Sequence, residues 1–140
     1  RDFLRQVKPG QSVIGIETIK ELVLKFQYAT GIETVFLCDG DTSAIRLMEL
    51  KIIEENIKEA LTNAAKYSNA TKITVSILVF NMFYRVEIRD NGNGAEKLSK
   101  GLGLRGIEER LEEINGRVEY YNDNGFVVNM VINKGRQNEH

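Results

Sequence analysis

The stretch FYRVEIRDNGNGAEKLSKGLGLRGIEERL, Phe83 to Leu111, joins a strand pattern, a carboxylate and a glycine-rich segment that feeds a helix. Between Phe83 and Arg89, Tyr84, Val86 and Ile88 alternate toward one face, and the same parity carries Asp90 inward beside them. An inward carboxylate without a basic neighbour in sequence is costly unless it accepts hydrogen bonds, and the amino group of a purine would supply one. Gly92 and Gly94 let backbone approach a planar ring closely. Taken alone, the same letters also describe a hairpin turn with an Asx cap. A calcium loop fails, because Gly92 stands where an acid or amide is needed and Gly101 where a bidentate Glu is needed. Gly101-Leu102-Gly103-Leu104-Arg105-Gly106 spells G-x-G-x-x-G at a helix start, where backbone N–H groups face an anion. A dinucleotide fold needs that motif directly after a buried strand, whereas Ala95 to Lys100 is polar, so NAD binding is excluded. What remains is a glycine-rich helix start suited to a polyphosphate.

Outward from this stretch the chain alternates helices and strands. Ile16, Ile19, Val23 and Phe26 fall at helical spacing after a Ser12 cap, with Thr30-Gly31 as the stop. Glu33 to Cys38 is a strand pattern closed by Asp39-Gly40-Asp41. A long helix is expected from about Ser43 to Ser68, with Ile53, Ile57, Ala60 and Ala64 as its apolar stripe. Lys72 to Phe80 pairs with Phe83 to Arg89 through Asn81-Met82. Leu104, Ile107, Leu111 and Ile114 make a third helix ending at Asn115-Gly116. Arg117 to Tyr121 and Phe126 to Asn133 are two final strands joined by Asn122 to Gly125. The order predicts an α/β (α+β) two-layer sandwich, a mixed sheet of about five strands with three helices on one face. The domain spans 12–133, with residues 1–11 as a linker around Pro9-Gly10 and 134–140 as a frayed tail.

On the long helix, Glu55, Glu59, Asn63 and Tyr67 lie at successive i, i+4 positions and form a polar line, with Lys66 beside it. A carboxylate and an amide one turn apart can offer oxygen to Mg²⁺ or to its waters. By itself such a line more often marks a solvated face.

Composition narrows the function classes. Among 140 residues, 19 Lys plus Arg balance 20 Asp plus Glu, so no basic field exists to hold a nucleic acid. One cysteine, Cys38, and one histidine, His140, exclude a disulfide framework, a Cys/His zinc site and any triad built on an internal histidine. No apolar run reaches ~18 residues and the start is not a signal peptide, so the chain is expected to be soluble and cytoplasmic. Cys38 reads as a small core residue, and Tyr120, Tyr121 and Phe126 as core or strand surface.

An acid-plus-amide helix, an inward Asp before Gly-x-Gly and a glycine-rich helix start occur together in one superfamily. Glu59-Ala60-Leu61-Thr62-Asn63-Ala64 resembles the N box, Asp90-Asn91-Gly92-Asn93-Gly94 the G1 box, and Gly101 to Ile107 the G2 box of the gyrase, Hsp90, histidine kinase and MutL ATPases. The phrase Gly103 to Leu111, then Asn115-Gly116-Arg117, with a very short lid from Ala95 to Lys100, resembles the catalytic ATP-binding domain of sensor histidine kinases of the NarX, DesK and LiaS kind. Tyr67 stands where these kinases often have His, and Phe126 follows Gly125 where many show Gly-Thr.

The resemblance implies the Bergerat ATP-binding fold, ATP and Mg²⁺ as cofactors, and a role for each motif residue. Asp90 would accept from the adenine amino group, with Gly92 and Gly94 beside it. Asn63 would bind Mg²⁺, and Glu59 would hold a metal-bound water or polarise the nucleophile. Lys66 and Tyr67 would lie near the phosphates, and Gly101, Leu102, Gly103, Leu104, Arg105 and Gly106 would cradle them. The kinases carry their phosphoacceptor histidine on a helical dimerisation domain, and His140 reads as a tail residue. The chain is therefore expected to be a monomeric phosphoryl-donor portion, with residues 1–11 its linker to that domain. A response regulator would be reached through that domain, in a protein that can be membrane-anchored. An anti-sigma-factor serine kinase of the same superfamily, a non-catalytic nucleotide-binding module and a gyrase-type ATPase are the alternatives.

Overall fold

The computed structural model describes residues 15–93 and 104–134. Pro9, Ser12, Gly94, the lid from Ala95 to Lys100, Gly101, Leu102, Gly103 and His140 lie outside the described residues. Helix α1 runs Ile16–Thr30, β1 Glu33–Asp39, α2 Leu47–Tyr67, β2 Lys72–Val79 and β3 Phe83–Asp90; α3 runs Leu104–Glu112, β4 Gly116–Asn122 and β5 Phe126–Asn133. The five strands are ordered β1-β2-β3-β5-β4. Only β1 and β2 are parallel; the other pairs are antiparallel. The fold class is the expected α/β sandwich.

The alternation of each strand sets the layers. Ile73, Val75 and Ile77 of β2, Tyr84, Val86 and Ile88 of β3, and Val128, Met130 and Ile132 of β5 are buried in one core. Ile19 and Val23 of α1, Ile53, Ile57, Leu61 and Ala64 of α2, and Leu104, Ile107 and Leu111 of α3 fill the other side of it. Helix α1 stops where Gly31 adopts φ 77° and its N–H donates to the Gln27 carbonyl at 2.8 Å, the left-handed cap that glycine tolerates.

Two expectations are corrected. The long helix begins at Leu47 rather than near Ser43, because Thr42–Ala44 form a separate 3-10 turn. Asp41 Oδ1 accepts from the Ser43 N–H and hydroxyl, and Ile45 and Arg46 are extended. Cys38 is exposed rather than in the core, since β1 is an edge strand whose last three residues face solvent. Partial burial and the neighbouring Asp39 push its thiol above the usual cysteine range.

The N-terminal end of α2 is locked by Glu49. Its carboxylate accepts from the Arg46 N–H at 2.9 Å, from Arg46 Nη2 at 3.3 Å and from the Tyr84 hydroxyl at 3.0 Å. The same hydroxyl lies 2.8 Å from the Ala44 carbonyl oxygen, so the 3-10 turn, α2 and β3 meet at one phenol. Burial first, and Glu49 second, push the Tyr84 phenol well above its ordinary range.

Candidate functional site

Asp90 ends β3 and is only 4% exposed, on the same side as Val86 and Ile88. Its Oδ1 accepts two backbone N–H bonds, from Gly92 at 2.9 Å and from Phe126 at 3.0 Å. Two amides thus compensate the burial of this carboxylate, and neither bond uses Oδ2. Gly125 has φ 137°, and a Cβ there would sit 1.9 Å from the Asp90 carbonyl oxygen, so the start of β5 can close on Asp90 only with glycine.

The loop after β3 is seamed to the end of α2. The Asn93 N–H donates to the Ser68 carbonyl at 2.8 Å, and a Cβ on Gly92 would meet that same oxygen at 2.0 Å. Asn91 Oδ1 accepts from the Thr71 and Lys72 N–H groups at 2.9 and 3.0 Å, fixing the loop to the start of β2. These contacts set Asp90 against the helix that carries Glu59, Asn63, Lys66 and Tyr67. Asn63 is half-buried and Lys66 and Tyr67 are exposed in the last turn.

The third part is the start of α3. Leu104 packs into the core, so this position can offer an anion only its backbone. Its carbonyl oxygen lies 3.0 Å from the Tyr120 hydroxyl, which also lies 3.2 Å from a Glu108 carboxylate oxygen. Burial first, then Glu108, push the Tyr120 phenol upward, so it stays a protonated donor. Tyr120 in turn stacks on Phe126, at a centroid separation of 6.4 Å. One aromatic pair thereby links the helix start to the strand whose N–H holds Asp90. Arg105 is exposed in the first turn, and Gly106 follows it.

A contact that the motifs do not announce joins α3 to α2. Arg110 Nε donates to Asn56 Oδ1 at 2.7 Å and its Nη2 donates to Glu59 Oε1, with Glu55 Oε1 3.8 Å from Nε. Only the spacing hints at it. Gly106 and Arg110 are one turn apart on α3, and Glu55 and Glu59 are one turn apart on α2.

The donor set suits Mg²⁺ held largely by phosphates and water. Among the described residues no group of three or more His, Cys, Asp or Glu side chains could cage a metal ion. Mg²⁺ in nucleotide sites takes one or two protein oxygens, and Asn63 with Glu59 one turn away provides oxygens of that kind.

Residues 49–136 match the family described as histidine kinase-, DNA gyrase B-, and HSP90-like ATPases. The chain belongs to this family. Among curated relatives, the Bacillus subtilis sensor histidine kinase YvfT is 36% identical over 136 residues, covering 94% of this chain and 37% of YvfT. The sensor histidine kinase DesK of the same organism is 32% identical over 138 residues, covering 94% of this chain and 37% of DesK. The chain thus spans little more than a third of these relatives. Among solved structures, the Erythrobacter litoralis EL346 blue-light activated histidine kinase superposes with a TM-score of 0.76 at 17% identity, over 89% of this chain and 47% of that one. The catalytic domain of histidine kinase ThkA superposes with a TM-score of 0.68 at 19% identity, over 85% of this chain and 91% of that one. The fold is that of histidine kinase catalytic domains.

Proposed function

We propose that this domain binds ATP with Mg²⁺ and donates the γ-phosphoryl group to a histidine carried on a helical dimerisation domain, from which a response regulator receives it. The observation that carries this reading is Asp90, a buried carboxylate fixed by two backbone amides and set between the end of α2 and the start of β5. Asp90 accepts from the adenine amino group, and Gly92 and Gly94 leave the ring room. Asn63 holds Mg²⁺ directly and Glu59 through a water, while Lys66 and Tyr67 border the phosphates. Backbone N–H groups from Gly101 to Gly106 cradle those phosphates at the positive end of α3. Bound Mg²⁺ neutralises charge that develops on the transferring phosphoryl group. The protein's share is to hold the nucleotide in place and to orient the incoming nucleophile. On this reading the domain works in the cytoplasm and is monomeric by itself, pairing through the dimerisation domain. No described helix is long and apolar enough to cross a membrane.

Calorimetric titration with a non-hydrolysable ATP analogue, with and without Mg²⁺, tests the reading. The wild-type chain is expected to bind, and Asp90→Asn to bind at least about a hundredfold more weakly, because the Asn oxygen would stay with the two backbone amides and its NH₂ would take the place of Oδ2 and face the adenine amino group. Binding unchanged in Asp90→Asn would refute the purine assignment.

A further inference from the structure

Arg110 lies outside the boxes that the family's motifs mark, yet it is the side chain that ties the helix after the glycine-rich segment to the helix bearing Glu59 and Asn63. We propose that Arg110 is a positioning residue. It aims the Glu59 carboxylate and registers the start of α3 against it, so that the magnesium-dependent part of nucleotide affinity depends on Arg110. This rests on the function proposed above.

The geometry is that of a built fork rather than of a loose surface pair. Asn56 is fully buried, with its Nδ2 3.7 Å from Met130 Sδ, so the core fixes the amide whose oxygen receives Arg110 Nε. With Nε anchored there, the planar guanidinium has one orientation left, and in it Nη2 meets Glu59 Oε1. Gly106, one turn earlier, makes room for the pair. A Cβ there would lie 3.2 Å from Arg110 Nη1, and 3.4 Å from both Nη2 and Glu59 Oε1. Gly106, the last glycine of the second glycine-rich box, is thus packed directly over the guanidinium and the carboxylate.

Two consequences follow for Glu59. One of its oxygens is committed to Arg110, so Oε2 is the oxygen that would be left for a metal-bound water. Its charge is also balanced by Arg110, which lowers the repulsion a polyphosphate would meet, even though Glu55, 3.8 Å from Nε, shares the same guanidinium. Groups that orient a metal's ligands typically contribute about 10–100-fold to metal affinity.

The test is titration of the whole chain with the ATP analogue in EDTA and in Mg²⁺, for wild type, Arg110→Gln and Arg110→Lys, with folding checked by circular dichroism. Arg110→Gln is expected to keep its affinity in EDTA within about twofold while the gain on adding Mg²⁺ falls about tenfold or more. Arg110→Lys keeps the charge without the fork and is expected to recover part of that gain. In the double variant Arg110→Gln/Glu59→Gln, the loss should be no greater than in Glu59→Gln alone, because Arg110 acts through Glu59. Equal weakening in EDTA and Mg²⁺ would mean Arg110 is only a staple between helices, and no change in either would remove any role; both outcomes overturn the proposal. Should Arg110→Gln fail to fold, Arg110→Lys decides by the same comparison. Absence of nucleotide binding in the wild type sinks the proposed function, and this inference with it; wild-type binding with an unaltered magnesium gain in the variants sinks this inference alone.

Discussion

Helix α2 carries two engaged glutamates, Glu49 in its first turn and Glu59 past its middle, and the two differ in every respect but chemistry. The Glu49 side chain is 1% exposed and spends its acceptors on the Arg46 amide, the Arg46 guanidinium and the Tyr84 phenol. The Glu59 side chain is 33% exposed and meets Arg110 through one oxygen. A carboxylate whose partners all come from the protein is part of the frame; one that keeps an oxygen toward solvent can still be used on a ligand.

Separate variants break that comparison at each glutamate. Glu49→Ala removes an N-terminal cap and three hydrogen bonds in a closed site, and is expected to cost about 2–3 kcal/mol of stability, read as a lower urea midpoint. Glu59→Gln should stay within about 0.5 kcal/mol of wild type in the same titration, while losing the magnesium-dependent gain in nucleotide affinity. Similar destabilisation by both would erase the distinction between frame and site.

Tyr84→Phe sharpens it, at an expected cost of about 1 kcal/mol near pH 8. The folded state holds the phenol protonated well above its ordinary range, whereas the unfolded chain releases that proton near pH 10. Above about pH 10 the unfolded state therefore binds fewer protons than the folded one, and stability falls as pH rises. Phe has no proton to lose, so the stability gap between wild type and Tyr84→Phe should narrow from pH 8 to pH 11; a constant gap would contradict the buried hydrogen bond.

The smallest effect concerns neither glutamate. Cys38 is exposed on the edge strand with a raised thiol pKa, so iodoacetamide should label the native protein, but more slowly at pH 7.5 than a free thiol does. Labelling only after unfolding would return Cys38 to the core.

Much of this was readable in the sequence because it is local. The alternation of Tyr84, Val86 and Ile88 carries Asp90 inward, and Thr30-Gly31 marks the end of α1. What escaped depends on distant partners. Arg110 meets Asn56 from 54 positions away and Tyr84 meets Glu49 from 35, and no spacing rule reaches across such separations. Cys38 misled because a β-branched and aromatic run looks alike in a central strand and at an edge, and the place of β1 is fixed only when β2 pairs with it. The start of α2 was misplaced because Asp41 caps a short turn of its own with the chemistry of a helix N-cap.

The two amides on Asp90 Oδ1 also carry an entropic meaning. Folding itself has immobilised this side chain, so an arriving ligand does not have to stop its rotation. On the proposed function, the end of β3 and the start of β5 act as a preorganised socket whose stiffness comes from the fold. Its tightness would then depend on Gly125 and Phe126, residues that need never touch the ligand.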